Sequence, residues 1–298
     1  MVTDAAYARC LEIARGHYEN FPVASRLLPR AMRPHVAAIY AFARTADDFA
    51  DEGDRSDEKR LALLDDWRDR LHQAAAGDFV ADNFDAAAIF RALAVTMRRH
   101  DLELELFDDL LSAFRQDVLI SRYADWDDVL DYCRRSANPV GRLVLRLAGY
   151  RDAKLDALSD AVCTALQLTN FWQDLHIDWR KGRLYVPQSL VQETCADETD
   201  LDRGRVTPEW RTALGSAAQT TRMLFEKGRP IADAVRGRLK WELRATWLGG
   251  MRILDRLEAA GFDVFASRPS LEWTDAVLIG AKTIAWRKGN GAMGQWGP

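Results

Sequence analysis

Long helices are the main prediction from the pattern of apolar and polar positions along the chain. In residues 61–73, Leu61, Leu64 and Leu71 recur at helical spacing among charged residues, which is typical of an amphipathic helix. Between Pro34 and Pro139 the chain contains no proline and only two glycines. A β domain would need a turn about every 8–12 residues, usually marked by such residues. The pattern therefore predicts an all-α fold.

Breaks between helices are predicted where proline, glycine or polar clusters interrupt the pattern. Residues 52–54 should end one helix, and residues 138–139 should separate two others, because the residue before a proline avoids the helical conformation. The polar stretch 193–205 is predicted to be a long loop. We expect a flexible tail at 286–298. Since no internal repeat or linker is visible, one domain is predicted over residues 1–298.

Composition narrows the class of protein. Lys and Arg number 41 against 45 Asp and Glu, and this near balance argues against a nucleic-acid partner. The four cysteines are scattered, so a zinc ribbon or a disulfide scaffold is not expected. No signal peptide is visible, and the apolar run Val36–Ala43 is far shorter than the roughly 20 residues that span a bilayer. The sequence therefore predicts a cytoplasmic enzyme.

An acidic cluster lies in an otherwise apolar segment. Residues 36–50 carry only three charges, Arg44, Asp47 and Asp48, and Asp51 follows one helical turn after Asp47. Like charges about 6 Å apart repel by roughly 2–3 kcal/mol at an effective dielectric constant of 20. Burial adds a desolvation cost. The cluster therefore predicts that a cation binds here.

A second polar stripe runs along residues 161–178. Gln167, Asn170, Asp174 and Asp178 follow one another at spacings of three, four and four, so they share one face of an apolar helix. A buried hydrogen-bond network between helices would also account for either cluster alone. The presence of both favours a pair of cation-binding walls.

The chemistry of these side chains favours magnesium. Carboxylate and amide oxygens are hard ligands that suit Mg²⁺, whereas a di-iron bundle would need Glu-x-x-His motifs, which are absent from the sequence. Mg²⁺ held by a few carboxylates keeps positions open for substrate phosphates. Arg44, Arg180, Lys181 and Arg183 would neutralise further phosphate charge. The residues alone predict Mg²⁺-dependent ionisation of a lipid diphosphate above an apolar cavity.

Two motifs resemble those of the squalene/phytoene synthase family. Residues 44–52 resemble its first aspartate-rich motif, and residues 167–178 with 183–187 resemble its second. Tyr132 stands where the family has a tyrosine-bearing helix, and the resemblance extends over about residues 15–265. It implies a single-domain, isoprenoid-synthase-like helical bundle with a central apolar cavity. The two motifs would form opposite walls of that cavity, with Mg²⁺ between them.

The resemblance and the residue chemistry together assign candidate roles. The metal ligands, for two or three Mg²⁺ ions, would be Asp47, Asp48, Asp51, Asn170, Asp174 and Asp178. The residues binding the substrate diphosphate would be Arg44, Lys181 and Arg183. By the resemblance, Tyr132 and Gln167 would lie near the reacting carbons, and the catalytic candidates for directing a water would be Tyr132, Asn138 and Gln167. The aromatic cavity residues, which would stabilise a carbocation by cation–π attraction, would be Phe21, Tyr40 and Phe171.

Within the family, residues 19–25, 134–142 and 170–183 are most similar to the bacterial hopanoid branch that makes hydroxysqualene. That resemblance implies ionisation of presqualene diphosphate and capture of the rearranged cation by water, without NADPH. The alternatives are a presqualene diphosphate, squalene or phytoene synthase and, more remotely, a non-catalytic helical scaffold. Because the substrate is a lipid, we expect peripheral contact with the inner membrane or transfer from a presqualene diphosphate synthase.

Overall fold

Helices dominate the parts of the chain that the computed structural model describes, residues 2–16, 27–78 and 84–286. The first eight helices are α1 (Val2–Gly16), α2 (Arg33–Asp51), α3 (Asp57–Ala76), α4 (Phe84–His100), α5 (Leu104–Leu119), α6 (Trp126–Ser136), α7 (Asn138–Leu147) and α8 (Ala153–Gln173). The remaining helices are α9 (Leu175–Arg180), α10 (Gln188–Glu193), α11 (Glu198–Asp202), α12 (Pro208–Gly228), α13 (Ile231–Ala234), α14 (Gly237–Ala259) and α15 (Trp273–Ile284). Within these ranges the β-type pairing is limited to an isolated parallel bridge between Arg122 and Leu184. The predicted all-α class is confirmed.

Most predicted helix boundaries agree with the structure. α2 ends at Asp51, and Gly53 follows with a positive φ of 75°, a conformation that glycine adopts at little cost. α6 ends at Ser136, and α7 begins with Pro139 in its first turn, where its missing N–H costs no hydrogen bond. The predicted tail lies outside the described residues, apart from Trp286.

Two boundaries differ from the prediction. The segment 193–205 is not a continuous loop but contains α11, because the Asp197 side chain accepts a hydrogen bond from the Thr199 N–H and caps the helix. The stripe 161–178 is not a single helix, since Asp174 leaves the helical conformation between α8 and α9. The Asp178 N–H still donates to the Asp174 carbonyl at 2.9 Å. Asp174 and Asp178 are therefore still separated by one hydrogen-bonded helical turn.

The two helices with the acidic motifs are central to the packing. α2 contacts α1, α3, α4 and α5, whereas α8 contacts α6, α7, α12, α13 and α14, most extensively α12. α5 packs against α2 and α3 as well as α6 and α7, so it connects the two groups of helices. Buried apolar side chains from α1 to the segment after α14 form one hydrophobic cluster. Within the described residues, no helix is both long and apolar enough to cross a membrane.

Candidate active site

The first acidic motif lies on α2 with its charges only partly exposed. The Arg44 guanidinium contacts Asp47 at 3.2 Å and Asp48 at 2.6 Å, one turn further along the helix. Its Nε is buried and has no hydrogen-bond partner among the described residues. Burial and the neighbouring charge of Asp51 raise the pKa of Asp47 to about 7, despite the proximity of Arg44. This carboxylate therefore lacks a full countercharge.

Asp51 joins the first motif to the second. Its two carboxylate oxygens accept hydrogen bonds from Lys181 Nζ at 2.9 Å and from Arg183 Nη2 at 2.6 Å. Although burial opposes ionisation, these bonds hold the pKa of Asp51 below its ordinary value. Residues more than a hundred positions apart in the sequence thus meet at Asp51.

The second motif lines one face of α8 and α9. Gln167, Asn170, Asp174 and Asp178 are all partly exposed, whereas their neighbours Leu168, Phe171, Trp172 and Leu175 are buried. Burial and the nearby Asp174 charge raise the pKa of Asp178 to about 7. All four predicted side chains are therefore partly accessible, while the apolar residues between them belong to the core.

Arg268 is a neighbour of this stripe that the sequence reasoning missed. It lies in the segment between α14 and α15, and its Nε and Nη2 both donate to the carboxylate of Asp174. The same segment is held to α8 because Gln173 Nε2 donates to the Pro269 carbonyl. An arginine in a loop has no periodicity, so spacing gave no signal for it.

Asp117 on α5 was also missed. It is buried and accepts hydrogen bonds from the Tyr132 hydroxyl at 2.6 Å and from the Tyr185 hydroxyl at 2.9 Å. Burial raises its pKa to about 6, although Arg183 and the two hydroxyls oppose the shift. Phe171 stacks on Tyr185 with ring centroids 3.7 Å apart, and Tyr132 lies 5.9 Å from Phe171. An aromatic cluster therefore adjoins the carboxylates.

The remaining predicted residues differ in their surroundings. Asn138 is buried at the start of α7, where its side-chain oxygen accepts a 2.9 Å hydrogen bond from Thr164 of α8. Tyr40 is half-buried on α2, one turn before Arg44. Phe21 lies outside the described residues. The structure thus groups most of the predicted residues, whereas Asn138 is used in helix packing.

The donor set of the two motifs fits magnesium. All its ligand atoms are carboxylate or amide oxygens, which Mg²⁺ prefers. Among the described residues, no three acidic, His or Cys side chains already converge as a metal-holding group. Instead, Arg44, Lys181, Arg183 and Arg268 contact the carboxylates. The raised pKa values of Asp47 and Asp178 nevertheless indicate that these side chains leave room for more positive charge.

Comparison with known proteins places the chain in a family. The squalene/phytoene synthase family model matches residues 14–275, and the chain belongs to this family. A hydroxysqualene synthase from Zymomonas mobilis is 38% identical over 233 residues, which cover 76% of this chain and 75% of that protein. A 15-cis-phytoene synthase from Synechococcus elongatus is 30% identical over 275 residues, covering 88% and 87%.

A solved structure gives the same result. The squalene synthase HpnC from Alicyclobacillus acidocaldarius superposes with a TM-score of 0.80 at 37% identity, covering 87% of this chain and 95% of the other. The isoprenoid-synthase-like helical fold is therefore confirmed. The chain is an enzyme of a family that acts on prenyl diphosphates and generally depends on divalent metal ions.

Proposed function

We propose that this enzyme ionises presqualene diphosphate and captures the rearranged carbocation with water, giving hydroxysqualene and diphosphate. The observation that carries the proposal is the junction at Asp51, where the first acidic motif meets Lys181 and Arg183 of the second. The choice of branch is supported by the 38% identity to a hydroxysqualene synthase. Capture of a carbocation by water, followed by loss of a proton, is neither an oxidation nor a reduction, so we expect no requirement for NADPH.

The acidic residues are proposed to hold the metal. The ligands of two or three Mg²⁺ ions would be Asp47, Asp48, Asp51, Asn170, Asp174 and Asp178, all of them oxygen donors. When bound, Mg²⁺ supplies positive charge that stabilises the diphosphate as it leaves. The expected metal dependence also separates this proposal from a non-catalytic scaffold, which would release no diphosphate.

The cationic residues are proposed to bind the diphosphate once the carboxylates are occupied. Arg44, Lys181, Arg183 and the additional Arg268 now contact the same carboxylates that would hold the metal. With those carboxylates holding a metal ion, the guanidinium and ammonium groups would be available to the phosphate oxygens of the substrate. The buried Nε of Arg44 has no described partner and is well suited to such an anion.

The aromatic cluster is proposed to stabilise the carbocation. Phe171 and Tyr185 are stacked, and Tyr132 lies 5.6 Å from Tyr185. Each aromatic face would contribute about 0.5–2 kcal/mol by cation–π attraction. Tyr40, half-buried on α2, would extend this wall. Asp117 accepts hydrogen bonds from both tyrosine hydroxyls, which fixes the positions of these two rings.

Gln167 is the best candidate for directing the attacking water. Asn138 is engaged by Thr164, and the Tyr132 hydroxyl is engaged by Asp117. Gln167, in contrast, is partly exposed on the face of α8 that carries Asn170 and Asp174. Its amide offers both a donor and an acceptor, so it suits the orientation of a water.

Substitution of one carboxylate in each motif tests the proposal. Asp51→Asn and Asp174→Asn should each lower Mg²⁺-dependent diphosphate release on the order of 10²–10³-fold, because each removes charge that offsets the leaving diphosphate and its metal. Asp66→Asn is the matched control, since Asp66 is an exposed carboxylate paired with Arg70 on α3. Circular dichroism should show that all three variants fold. Turnover near that of the unsubstituted enzyme in either motif variant would refute the assignment.

Condensation of two prenyl diphosphates is the second candidate, favoured by the 30% identity to a 15-cis-phytoene synthase over 88% of the chain. Presqualene diphosphate, squalene and phytoene synthases all start from two separate prenyl diphosphates. Turnover of a prenyl diphosphate supplied alone would therefore identify this branch, and the metal-binding roles proposed above would remain.

A further inference from the structure

The turn that follows α9 carries two cations of the candidate active site. Lys181 and Arg183 lie on either side of Gly182, whose φ of 79° is a conformation that glycine adopts at little cost. The Gly182 N–H donates to the Trp179 carbonyl at 2.9 Å. The Arg183 N–H donates to the Asp178 carbonyl at 2.8 Å. This pair of hydrogen bonds is the Schellman motif, which fixes the course of the backbone at both cations.

Arg122, in the segment between α5 and α6, holds this turn with its side chain. Its Nη1 donates to the Gly182 carbonyl at 2.7 Å and to the Ser121 carbonyl at 2.8 Å. The guanidinium also lies over the Trp179 ring, 5.0 Å from its centroid, which is within the range of cation–π attraction. One side chain therefore contacts both α9 and the glycine that follows it.

The helix α11 anchors both side chains of this contact. The Arg122 Nε donates to the two carboxylate oxygens of Glu198 at 3.2 and 3.1 Å, and its Nη2 donates to one of them at 2.9 Å. Glu198 also accepts a 3.0 Å hydrogen bond from the Gln188 side chain. The Trp179 Nε1 donates to the Asp202 carboxylate at 3.1 Å. Because charge-assisted, forked hydrogen bonds are strong and directional, the Arg122 guanidinium has one defined orientation.

Backbone pairing continues the same attachment beyond the turn. The Leu184 N–H donates to the Ser121 carbonyl at 3.0 Å, and Arg122 and Leu184 form the isolated parallel bridge. Two further backbone hydrogen bonds connect residues 188–189 to the residues directly after Arg122. The main chain is thus held from Leu184 onward, and the Arg122 side chain extends this hold back to Gly182.

The two cations have two restraints, of which one depends on an unoccupied carboxylate. Lys181 and Arg183 both donate to Asp51. With the Asp51 carboxylate holding a metal ion, this restraint would be lost. Among the described residues, Arg122 bonds to none of the six proposed metal ligands, so its hold on Gly182 would remain.

We propose that Arg122 is a positioning residue for binding of the substrate diphosphate. By holding the Gly182 carbonyl and the Trp179 ring, it keeps in place the backbone that carries Lys181 and Arg183. A preorganised pair of cations binds a diphosphate more tightly than a mobile pair, because less conformational freedom is lost on binding. This inference rests on the proposed function, since it concerns the side chains that would bind the leaving group.

A diphosphate-binding experiment tests this role. The Kd of the full chain for inorganic diphosphate is measured by isothermal titration calorimetry in the presence of Mg²⁺, which requires no turnover. Arg122→Lys keeps the positive charge but cannot reproduce the planar, forked hydrogen bonds of arginine. We expect this variant to raise the Kd about tenfold, because the cations lose their preorganisation. It should also raise the KM for presqualene diphosphate by a larger factor than it lowers kcat.

Glu198→Gln separates positioning from electrostatic attraction. Because it removes a negative charge, a purely electrostatic effect would make diphosphate bind more tightly. Positioning predicts the opposite, a Kd raised about threefold, because a neutral amide holds Arg122 less strongly than a carboxylate does. Arg222→Lys is the matched control, since Arg222 also donates to a carboxylate, that of Glu258, through Nε and Nη2, but connects α12 to α14. This control should bind diphosphate like the unsubstituted enzyme.

Three outcomes would overturn the positioning role. They are an unchanged Kd in folded Arg122→Lys, tighter or unchanged binding in Glu198→Gln, and equal weakening in the Arg222→Lys control. Circular dichroism shows which variants are folded, and if Arg122→Lys is not, the direction of change in Glu198→Gln decides. Absence of diphosphate binding in the unsubstituted enzyme would instead count against the proposed function itself.

Discussion

Asp117 shows how one buried carboxylate can organise a wall of the active site. It is hydrogen-bonded to the hydroxyls of Tyr132 and Tyr185, and its pKa of about 6 leaves it mostly ionised at pH 7.5. Hydrogen bonds to an ionised group are stronger than those between neutral groups. The tyrosine hydroxyls should therefore stabilise the fold more when Asp117 carries its charge.

Tyr132→Phe should lower the free energy of unfolding by about 2 kcal/mol at pH 7.5, because a buried carboxylate loses a donor. The cost should shrink to about 1 kcal/mol at pH 5, where Asp117 is mostly protonated and the lost bond is one between neutral groups. Because loss of the donor also raises the pKa of Asp117 further, the variant loses more stability than the unsubstituted enzyme as the pH rises. Urea unfolding at the two pH values measures both costs. Equal costs at pH 5 and pH 7.5 would contradict this account of Asp117.

At the residue scale, sequence reasoning succeeded where charges interrupt an apolar pattern. Asp47 and Asp174 stood out because the segments 36–50 and 161–178 carry few other charges. Asp117 did not, since α5 contains several other charged residues. Arg268 did not because it belongs to no helix. Burial distinguishes Asp117 from its neighbours, and burial depends on tertiary packing that one sequence does not specify.

At the scale of helices, α8 and α12 approach closely at a glycine. A Cβ added to Gly228 would lie 2.5 Å from Val162 Cγ2 and 2.8 Å from the Leu158 carbonyl oxygen. On the same helix, a Cβ on Gly215 would meet only Phe262, at 3.9 Å. A side chain at position 228 would therefore clash with α8, whereas one at position 215 would fit.

Gly228→Ala should lower the free energy of unfolding by about 1–3 kcal/mol, because backbone atoms of α8 cannot move aside easily. Gly215→Ala on the same helix is the matched control and should be neutral or stabilising by up to about 1 kcal/mol, since alanine favours helices. Thermal or urea unfolding distinguishes the two. A Gly228→Ala variant as stable as the Gly215→Ala variant would refute the close approach.

Helix boundaries were predictable where proline or glycine marks them, as at Gly53 and Pro139. The break at Asp174 was not predictable, because the stripe of residues 161–178 has helical spacing throughout. The contact of Asp174 with Arg268 was not predictable either, because the two residues are far apart in the sequence and the pattern of one segment says nothing about the other. Local spacing therefore predicts which side chains share a helix face, but it does not predict the residue at which α8 ends.

At the scale of the whole molecule, the site depends on two distant segments meeting. Asp51 lies at the end of α2, and its partners Lys181 and Arg183 follow α9. Residue chemistry predicted that two acidic walls would face each other. The resemblance to the squalene/phytoene synthase family implied that they lie on opposite sides of a central cavity. The reaction within the family depends on details of the pocket that neither spacing nor fold specifies.

The most direct test of the proposed reaction is product analysis in water enriched in ¹⁸O. The enzyme is incubated with Mg²⁺ and presqualene diphosphate, with and without NADPH, and a parallel sample contains farnesyl diphosphate alone. We expect hydroxysqualene that carries ¹⁸O, in equal yield with or without NADPH, and no product from farnesyl diphosphate alone. Squalene formed only with NADPH, an alcohol without the label, or turnover of farnesyl diphosphate alone would contradict capture of the cation by water.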